Sequence, residues 1–416
     1  MKFTDFKFNS KLTDRILLQN YLEPTPIQAQ AIPSVMEGKD VLGLAQTGTG
    51  KTAAFVLPLI HKFMQQRASH VRAVIIAPTR ELAQQIHETV IAFGKGLGVS
   101  SVALYGGVSV YGQTKILRKG VDIVVGCPGR LLDHLSQRTL SLSGIETLVL
   151  DEADHMFDMG FLPDLRSILK YLPNKRQNLM FSATMPADIH KLANDILYKP
   201  VQIEVNHTQS LDTITHTVFP VKSHLKTALL LEIIKQTQAQ SILIFTRTKH
   251  RAKGLDEKLQ RCGYPCASLQ GNLSQNRRLE ALNGFKDGTY TIMVATDIAA
   301  RGIDISRVSH VINYDLPDTP ETYTHRIGRT GRASRTGDAY TLLSPEDADM
   351  MRRIERKLGT TIKSRTLPDF DYDAPPSKHT EFPRSPHPHR SSFGKPSQSR
   401  HSGRSDRSSR SRPRPR

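Results

Sequence analysis

The run Val41-Leu42-Gly43-Leu44-Ala45-Gln46-Thr47-Gly48-Thr49-Gly50-Lys51-Thr52 is an apolar stretch that breaks into a glycine-rich turn, and Ala53, Phe55, Leu57 and Ile60 then recur at helical spacing. Strand, loop and helix in that order are the parts of a P-loop. Its glycines let the backbone approach a phosphate, the helix amino terminus offers N–H donors, Lys51 reaches the β and γ phosphates, and the Thr52 hydroxyl ligates magnesium. Ala45 stands where the general pattern has its first glycine. The flanking strand and helix separate this reading from that of a plain glycine-rich turn.

On either side of the loop, short β-branched runs alternate with helical patterns: residues 41–44, 73–77, 122–125, 147–150 and 179–181. Such βα repetition predicts a parallel sheet with helices on both faces. A second series covers residues 241–245, 266–269, 291–294, 308–312 and 339–343, so the expectation is two α/β domains in tandem. The boundaries read as 1–205 for the first domain, 206–216 for a polar linker and 217–366 for the second domain. From 367 to 416 the composition turns to Pro, Ser, His and Arg. Residues 383–416 hold ten Lys or Arg against one Asp, a net +9 that is half of the chain's +18. With almost nothing to bury, this tail is expected to be disordered.

A chain of 416 residues suits two domains and a tail. No apolar run approaches the ~20 residues that span a bilayer, and residues 1–10 lack a secretion signal's basic-then-apolar pattern, so a soluble, cytoplasmic protein without a membrane partner is expected. Three cysteines, Cys127, Cys262 and Cys266, cannot build a disulfide framework, and they lack the second ligand pair of a zinc site. The positive charge draws in polyanions by counterion release, which leaves nucleic acid, an acidic membrane or the ribosome as candidates on charge alone.

One hundred residues after the P-loop, the apolar run 147–150 enters Asp151-Glu152-Ala153-Asp154. Carboxylates at the carboxyl end of a parallel strand lie in the crevice where ligands bind. Asp151 can hold magnesium there, and Glu152 can orient and deprotonate an attacking water. This run gives the DEAD-box family its name, and the chain resembles that family of ATP-dependent RNA helicases through residues 1–366, most closely its small bacterial members with a basic tail. The resemblance implies two RecA-like domains and ATP with Mg2+ as cofactors. Phe3 and Pro24-Thr25-Pro26-Ile27-Gln28 are similar to the family's adenine-reading element, with Gln28 bonding the base through an amide that donates and accepts and Phe3 packing near it. Taken alone, Phe3 reads as a core anchor. Asn20 stands where the family usually has glycine. Ser182-Ala183-Thr184 resembles the element that links hydrolysis to strand separation through Asp154, although such residues otherwise read as helix caps.

The cation-dense run His325-Arg326-Ile327-Gly328-Arg329-Thr330-Gly331-Arg332 suits phosphate better than a core. Resemblance places Arg329 and Arg332 at the γ-phosphate as fingers from the second domain, His325 on the coupling path, Asp304 at the ribose, and Thr296 and Arg301 near RNA. Thr79-Arg80, Gly106-Gly107 and Gly129-Arg130 in the first domain, and Thr246-Arg247 and Gln270-Gly271 in the second, match the family's RNA-contacting loops, with Gln275 and Arg278 at matching positions. Each such loop alone could be an ordinary strand end. Cys127 replaces the usual threonine. No Trp and few other aromatics argue against a stacking platform and for RNA held by its backbone without sequence readout.

The implied activity is RNA-stimulated ATP hydrolysis with local opening of short duplexes or remodelling of ribonucleoprotein by a monomer, in ribosome assembly or RNA decay, with ribosomal particles or decay proteins as further partners and the tail as tether or solubiliser. Two alternatives are a DNA-directed translocase of the same superfamily and an RNA clamp that binds without catalysis.

Overall fold

Four-residue aliphatic runs, each closed by a glycine, proline or polar turn, are too short to stand alone as strands and gain stability by pairing in parallel with both faces covered. The computed structural model describes residues 1–46, 48–66, 70–205, 214–237, 241–300, 308–331 and 336–376. In the first lobe the strands are β1 (Val41–Leu44), β2 (Ala73–Ile76), β3 (Ser101–Leu104), β4 (Ile123–Gly126), β5 (Thr147–Leu150), β6 (Gln177–Ser182) and β7 (Val201–Glu204). They lie in the order β3-β4-β2-β5-β6-β1-β7. Every described pairing is parallel, with β1 in register from Val41 opposite Leu179 to Leu44 opposite Ser182.

The second lobe repeats the plan with β8 (Ile214–Pro220), β9 (Ile242–Phe245), β10 (Cys266–Leu269), β11 (Ile292–Ala295), β12 (His310–Asn313), β13 (Gly337–Leu343) and β14 (Lys363–Ser364). Its order is β10-β11-β9-β12-β13-β8-β14. Side chains alternate between the two faces as a strand's period of two requires. On β2, Ala73 and Ile75 enter one core while Val74 and Ile76 enter the other. On β9, Leu243 and Phe245 separate likewise from Ile242 and Ile244. Among the described residues no helix is long and apolar enough to cross a membrane.

The strand order sorts the loops. At the carboxyl ends of the adjacent strands β5, β6 and β1 stand the acidic run, Ser182-Ala183-Thr184 and the P-loop. The glycine and arginine loops after β3, β4 and β2 stand on the other half of the sheet. The P-loop and acidic run are thus separated from the glycine and arginine loops by which strands are neighbours.

Two boundaries differ from the sequence reading. Residues 214–216, expected as linker, begin β8, where Ile214 to Leu343 of the paired strands run in register. Residues 367–374, expected in the tail, belong to the second lobe: Leu367 is buried, and Phe370, Tyr372 and Ala374 pack on the same core. The Leu367 N–H donates to Tyr372 Oη at 3.0 Å, and Lys222 pairs with Asp373 at 2.8 Å. Polar Thr and His hide the first case, and a neighbouring Pro-rich composition hides the second. The compact unit ends at Ala374, and residues 377–416 of the expected tail lie outside the described residues. Replacing Leu367 with Ala should therefore destabilise the second lobe by about 2–3 kcal/mol, read as a lowered midpoint in urea; an unchanged midpoint would place residue 367 in the tail after all.

Candidate active site between two lobes

The P-loop backbone is shaped by Gly48 and Gly50, both with positive φ. A Cβ on Gly50 would crowd the Gln28 amide and the Thr25 hydroxyl, and the positive φ itself disfavours any side chain there. Lys51, at the start of the helix Lys51–Phe63, is buried and donates from Nζ to the Ala45 carbonyl at 2.6 Å. Thr49 Oγ1 donates to the Gln46 carbonyl at 2.8 Å. Thr47 lies outside the described residues.

Beside the loop is a cavity of about 760 Å³, lined among others by Tyr21, Gln28, Lys51, Thr52, Asp151 and Glu152. Lys286, from the second lobe's helix Gln275–Asp287, lines it too. Pro24 and Phe3 do not. Phe3 is 0% exposed, edge-on to Phe6 and Tyr21 at 5.7 and 5.8 Å. Its aromatic neighbour Tyr21 supplies the ring that faces the cavity, and Phe3 acts as the anchor behind it. Gln28 accepts from the Thr25 N–H at 2.9 Å and donates to the Gly50 carbonyl at 3.0 Å. It ties its helix, Pro26–Met36, directly to the P-loop, a contact the sequence did not suggest.

Asp151 and Glu152 follow β5 and are each 2% exposed. Burial pushes the Asp151 carboxyl above the usual aspartate range, Lys51 pulls it down, and Glu152 pushes it further up. Asp151 Oδ1 is buried without a hydrogen-bond partner. Glu152 adopts the left-handed conformation, φ 56 and ψ 54, at the start of the helix Ala153–Asp158. That backbone costs roughly 1–2 kcal/mol for a residue with a Cβ, and strain of this kind gathers where a side chain must be aimed. Burial disfavours the charge on Glu152, but the His155 ring bonded to it at 2.9 Å prevails, helped by Lys51 and by Arg329 of the second lobe. Its carboxyl is held below the usual glutamate range.

Asp154 receives two bonds from Thr184, N–H and Oγ1 each at 2.9 Å, and its own N–H donates to Ser182 Oγ at 3.2 Å. Ser182 Oγ in turn donates to the Thr184 carbonyl at 2.8 Å. The Ser182-Ala183-Thr184 turn is thus fastened to the acidic run by both main chain and side chain. His155, not singled out in the sequence, packs edge-on against His325 of the second lobe, with Nε2 and Nδ1 3.4 Å apart. Its position directly after the acidic run was the only signal.

Arg326 overturns the reading of its cation-rich run as unsuited to a core. It is 2% exposed, donates twice to the Asp297 carboxylate at 2.6 and 2.7 Å, and bonds Asn313 Oδ1 and the Asp315 carbonyl. Its guanidinium lies over Phe245 at 5.0 Å. A buried charge that donates four hydrogen bonds is a structural brace, and here it locks the helix Pro320–Ile327, which carries His325, onto the sheet. Arg301, Asp304 and Arg332 lie outside the described residues.

Along the expected polymer track, the Arg80 guanidinium lies against the Gly106-Gly107 backbone, where a Cβ on Gly107 would come within 2.3 Å of it. Arg130 donates to Gln113 Oε1 at 2.7 Å and pairs with Asp133 at 3.3 Å, and Gly129 is open. Thr79 caps its helix by accepting from the Leu82 N–H at 3.2 Å. Burial pushes the Cys127 thiol up to about 12, so it is an inert cap. In the second lobe Arg247 and Gly271 are exposed and Thr296 is half-buried. The Thr246 and Gln270 side chains are buried and used internally, Thr246 Oγ1 on the Thr248 carbonyl and Gln270 Oε1 on the Asn272 N–H. Both bonds shape the loops that carry these residues. Glu81, buried, receives Gln275 Nε2 at 3.0 Å and Arg278 at 2.8 Å, which bridges the lobes.

A P-loop, buried carboxylates at the next strand end and cations reaching over from a second parallel sheet define a two-lobed nucleotide hydrolase of the RecA-like type. A family model described as DEAD/DEAH box helicase matches residues 25–192, and one described as helicase conserved C-terminal domain matches residues 225–334. The chain is 43% identical over 370 residues to the DEAD-box ATP-dependent RNA helicase CshA of Bacillus subtilis, covering 89% of this chain and 75% of that one. It is 43% identical over 372 residues to the ATP-dependent RNA helicase CshA of Listeria monocytogenes, with 89% and 71% covered. Among solved structures it is similar to Dbp5 of S. cerevisiae bound to RNA and ADP BeF3, with a TM-score of 0.78, 29% identity and 88% and 95% of the two chains covered. The chain belongs to the DEAD-box family of ATP-dependent RNA helicases.

The raised Asp151 carboxyl has a sign that can be checked. An acid whose folded pKa is raised contributes stability below its unfolded value, and that contribution is lost as pH rises through the folded one. Asp151→Asn should thus stabilise the nucleotide-free chain at pH 8 by on the order of 1–3 kcal/mol, with the gain vanishing toward pH 4. Thermal melts of both chains across that range provide the check, and a gain that grows in acid would contradict the burial argument.

Proposed function

We propose that this chain hydrolyses ATP when RNA draws its two lobes together, and that each closure opens only a few base pairs. The observation that carries the reading is the divided site: Lys51, Asp151 and Glu152 stand on one lobe, and Arg329, whose charge is felt by Glu152, stands on the other. Glu152, kept ionised by His155, is the acceptor for a proton of the attacking water. Arg329, with Arg332 beside it in sequence, offsets charge that develops on the transferred phosphoryl group, a role worth about 10³ to 10⁵ in rate in related sites. Gln28 would have to trade its bonds to Thr25 and Gly50 for the adenine edge, or share them, which gives base recognition a direct mechanical link to the P-loop.

Asp151 Oδ1 fits a magnesium ion, since it is a buried oxygen with no other partner, and the Thr52 hydroxyl on the same cavity wall fits the second position. Bound there, the ion would neutralise phosphate charge. Asp154 reports on that region to Thr184 and Ser182 through the three bonds described, and His325 faces it from the second lobe. Arg80 against the Gly106-Gly107 turn and the exposed Arg247 supply donors, and Gly129 and Gly271 supply open backbone, a set suited to a phosphate chain, so RNA is held without sequence readout. The basic residues 383–416 add a salt-sensitive tether toward RNA or ribosomal particles.

If RNA and ATP both favour closure, each strengthens the other by the same factor, typically about 1–3 kcal/mol. That equals roughly one or two base-pair steps at about 1.4 kcal/mol each. Short-range opening follows, not long travel. Two measurements test the reading together. Single-stranded RNA should stimulate ATPase at least 10-fold over single-stranded DNA, and Glu152→Gln should abolish turnover while prolonging RNA binding with ATP. Equal stimulation by DNA would remove the substrate assignment, and an active E152Q chain would remove the role given to the carboxylate.

A further inference from the structure

Beyond the bond that His155 makes to Glu152, the contact between His155 and His325 has the geometry of a metal site. Asp154, His155 and His325 offer three ligand atoms that all lie within 4.8 Å of one another. The two ring nitrogens that face each other, His155 Nε2 and His325 Nδ1, are 3.4 Å apart. Two nitrogens held by one tetrahedral zinc at about 2.0–2.1 Å each are separated by about 3.3–3.4 Å, so the rings already stand at that spacing.

A second observation points the same way. The other nitrogen of His155, Nδ1, is bonded to Glu152 Oε2 at 2.9 Å. With Nδ1 engaged by the Glu152 carboxyl group, the ring is oriented so that Nε2 is the atom presented to His325. A carboxylate behind a histidine that presents its far nitrogen is the arrangement that orients metal-ligating histidines. His155 is buried, and Asp154 is fixed nearby by Thr184. Two imidazoles and one carboxylate suit a borderline transition-metal ion and are a poor set for magnesium.

We propose that Asp154, His155 and His325 form an inter-lobe site for zinc or a similar transition-metal ion, distinct from the magnesium position at Asp151 and Thr52. Two ligands come from the first lobe and one from the second. An ion bound there fastens the lobes together, so it acts as a brake on the opening that follows hydrolysis. Binding leaves the Glu152 bond intact and takes the place of the hydrogen bond between the two rings.

The test uses the full chain titrated with Co2+ as a spectroscopic stand-in for Zn2+. A visible band of tetrahedral intensity should grow to one ion per chain, be displaced by Zn2+, and fall at least 10-fold in both His155→Gln and His325→Gln, one variant on each lobe. In parallel, micromolar Zn2+ at constant Mg2+ should slow RNA release at least 10-fold, and His155→Gln should remove that slowing. A band that persists in both variants, as histidines elsewhere in the chain would give, overturns the proposal. So does the absence of a tetrahedral band, or a Zn2+ effect on RNA release that is the same in the His155→Gln chain. Loss of the band in both variants, with each still melting cooperatively, supports it.

Discussion

Asp151, Glu152 and Asp154 place three carboxylates at the end of one strand, in a crevice where water cannot solvate them fully, and the rest of the molecule is arranged around compensating that charge. Lys51 answers from the neighbouring P-loop, Thr184 binds Asp154, and His155 binds Glu152. The compensation is unequal. Asp151 is left with a bare oxygen and a raised pKa, whereas Glu152 and Asp154 are held ionised. One carboxylate is therefore poised for a cation and one for a proton, which is the division of labour that pairs of acids in active sites commonly show.

The remaining compensation comes from the second lobe. Arg329 contributes to holding Glu152 ionised, and His325 does so for Asp154. Further along the cleft, Glu81 would be a buried lone charge without Arg278 and Gln275. Removing one partner of such a pair is costly, on the order of 3–5 kcal/mol, while the intact pair adds little net stability. The bridges thus serve less to glue the lobes than to favour the arrangement in which Glu81, Glu152 and Asp154 meet their partners. Arg326 keeps that arrangement rigid by fixing the helix that presents the second lobe's cations.

Much of this was legible because it is local. A P-loop needs only a strand, a turn and a helix in sequence, and each four-residue strand announces itself by an aliphatic run. Two strands away from the sheet centres were less visible: β7, at an edge, has exposed residues, and β8, next to the two-residue edge strand β14, carries Thr and His. Charges resolved by distant partners were not legible at all. Nothing near Arg326 reveals Asp297, 29 residues away, and nothing near Glu81 reveals Arg278, 197 residues away. Resemblance placed Phe3 near the base-reading Gln28 and Thr246 and Gln270 on RNA-contacting loops; all three side chains are buried, and Tyr21 lines the cavity in front of Phe3.

Closure shared by two ligands is measured directly by a thermodynamic box. RNA affinity is determined with and without a non-hydrolysable ATP analogue, and analogue affinity with and without RNA. Both ratios should agree at about 5- to 150-fold, and both should shrink toward one in Arg278→Ala, where the inter-lobe bridge is gone. Ratios near one in the unaltered chain, with each ligand indifferent to the other, would contradict the divided site.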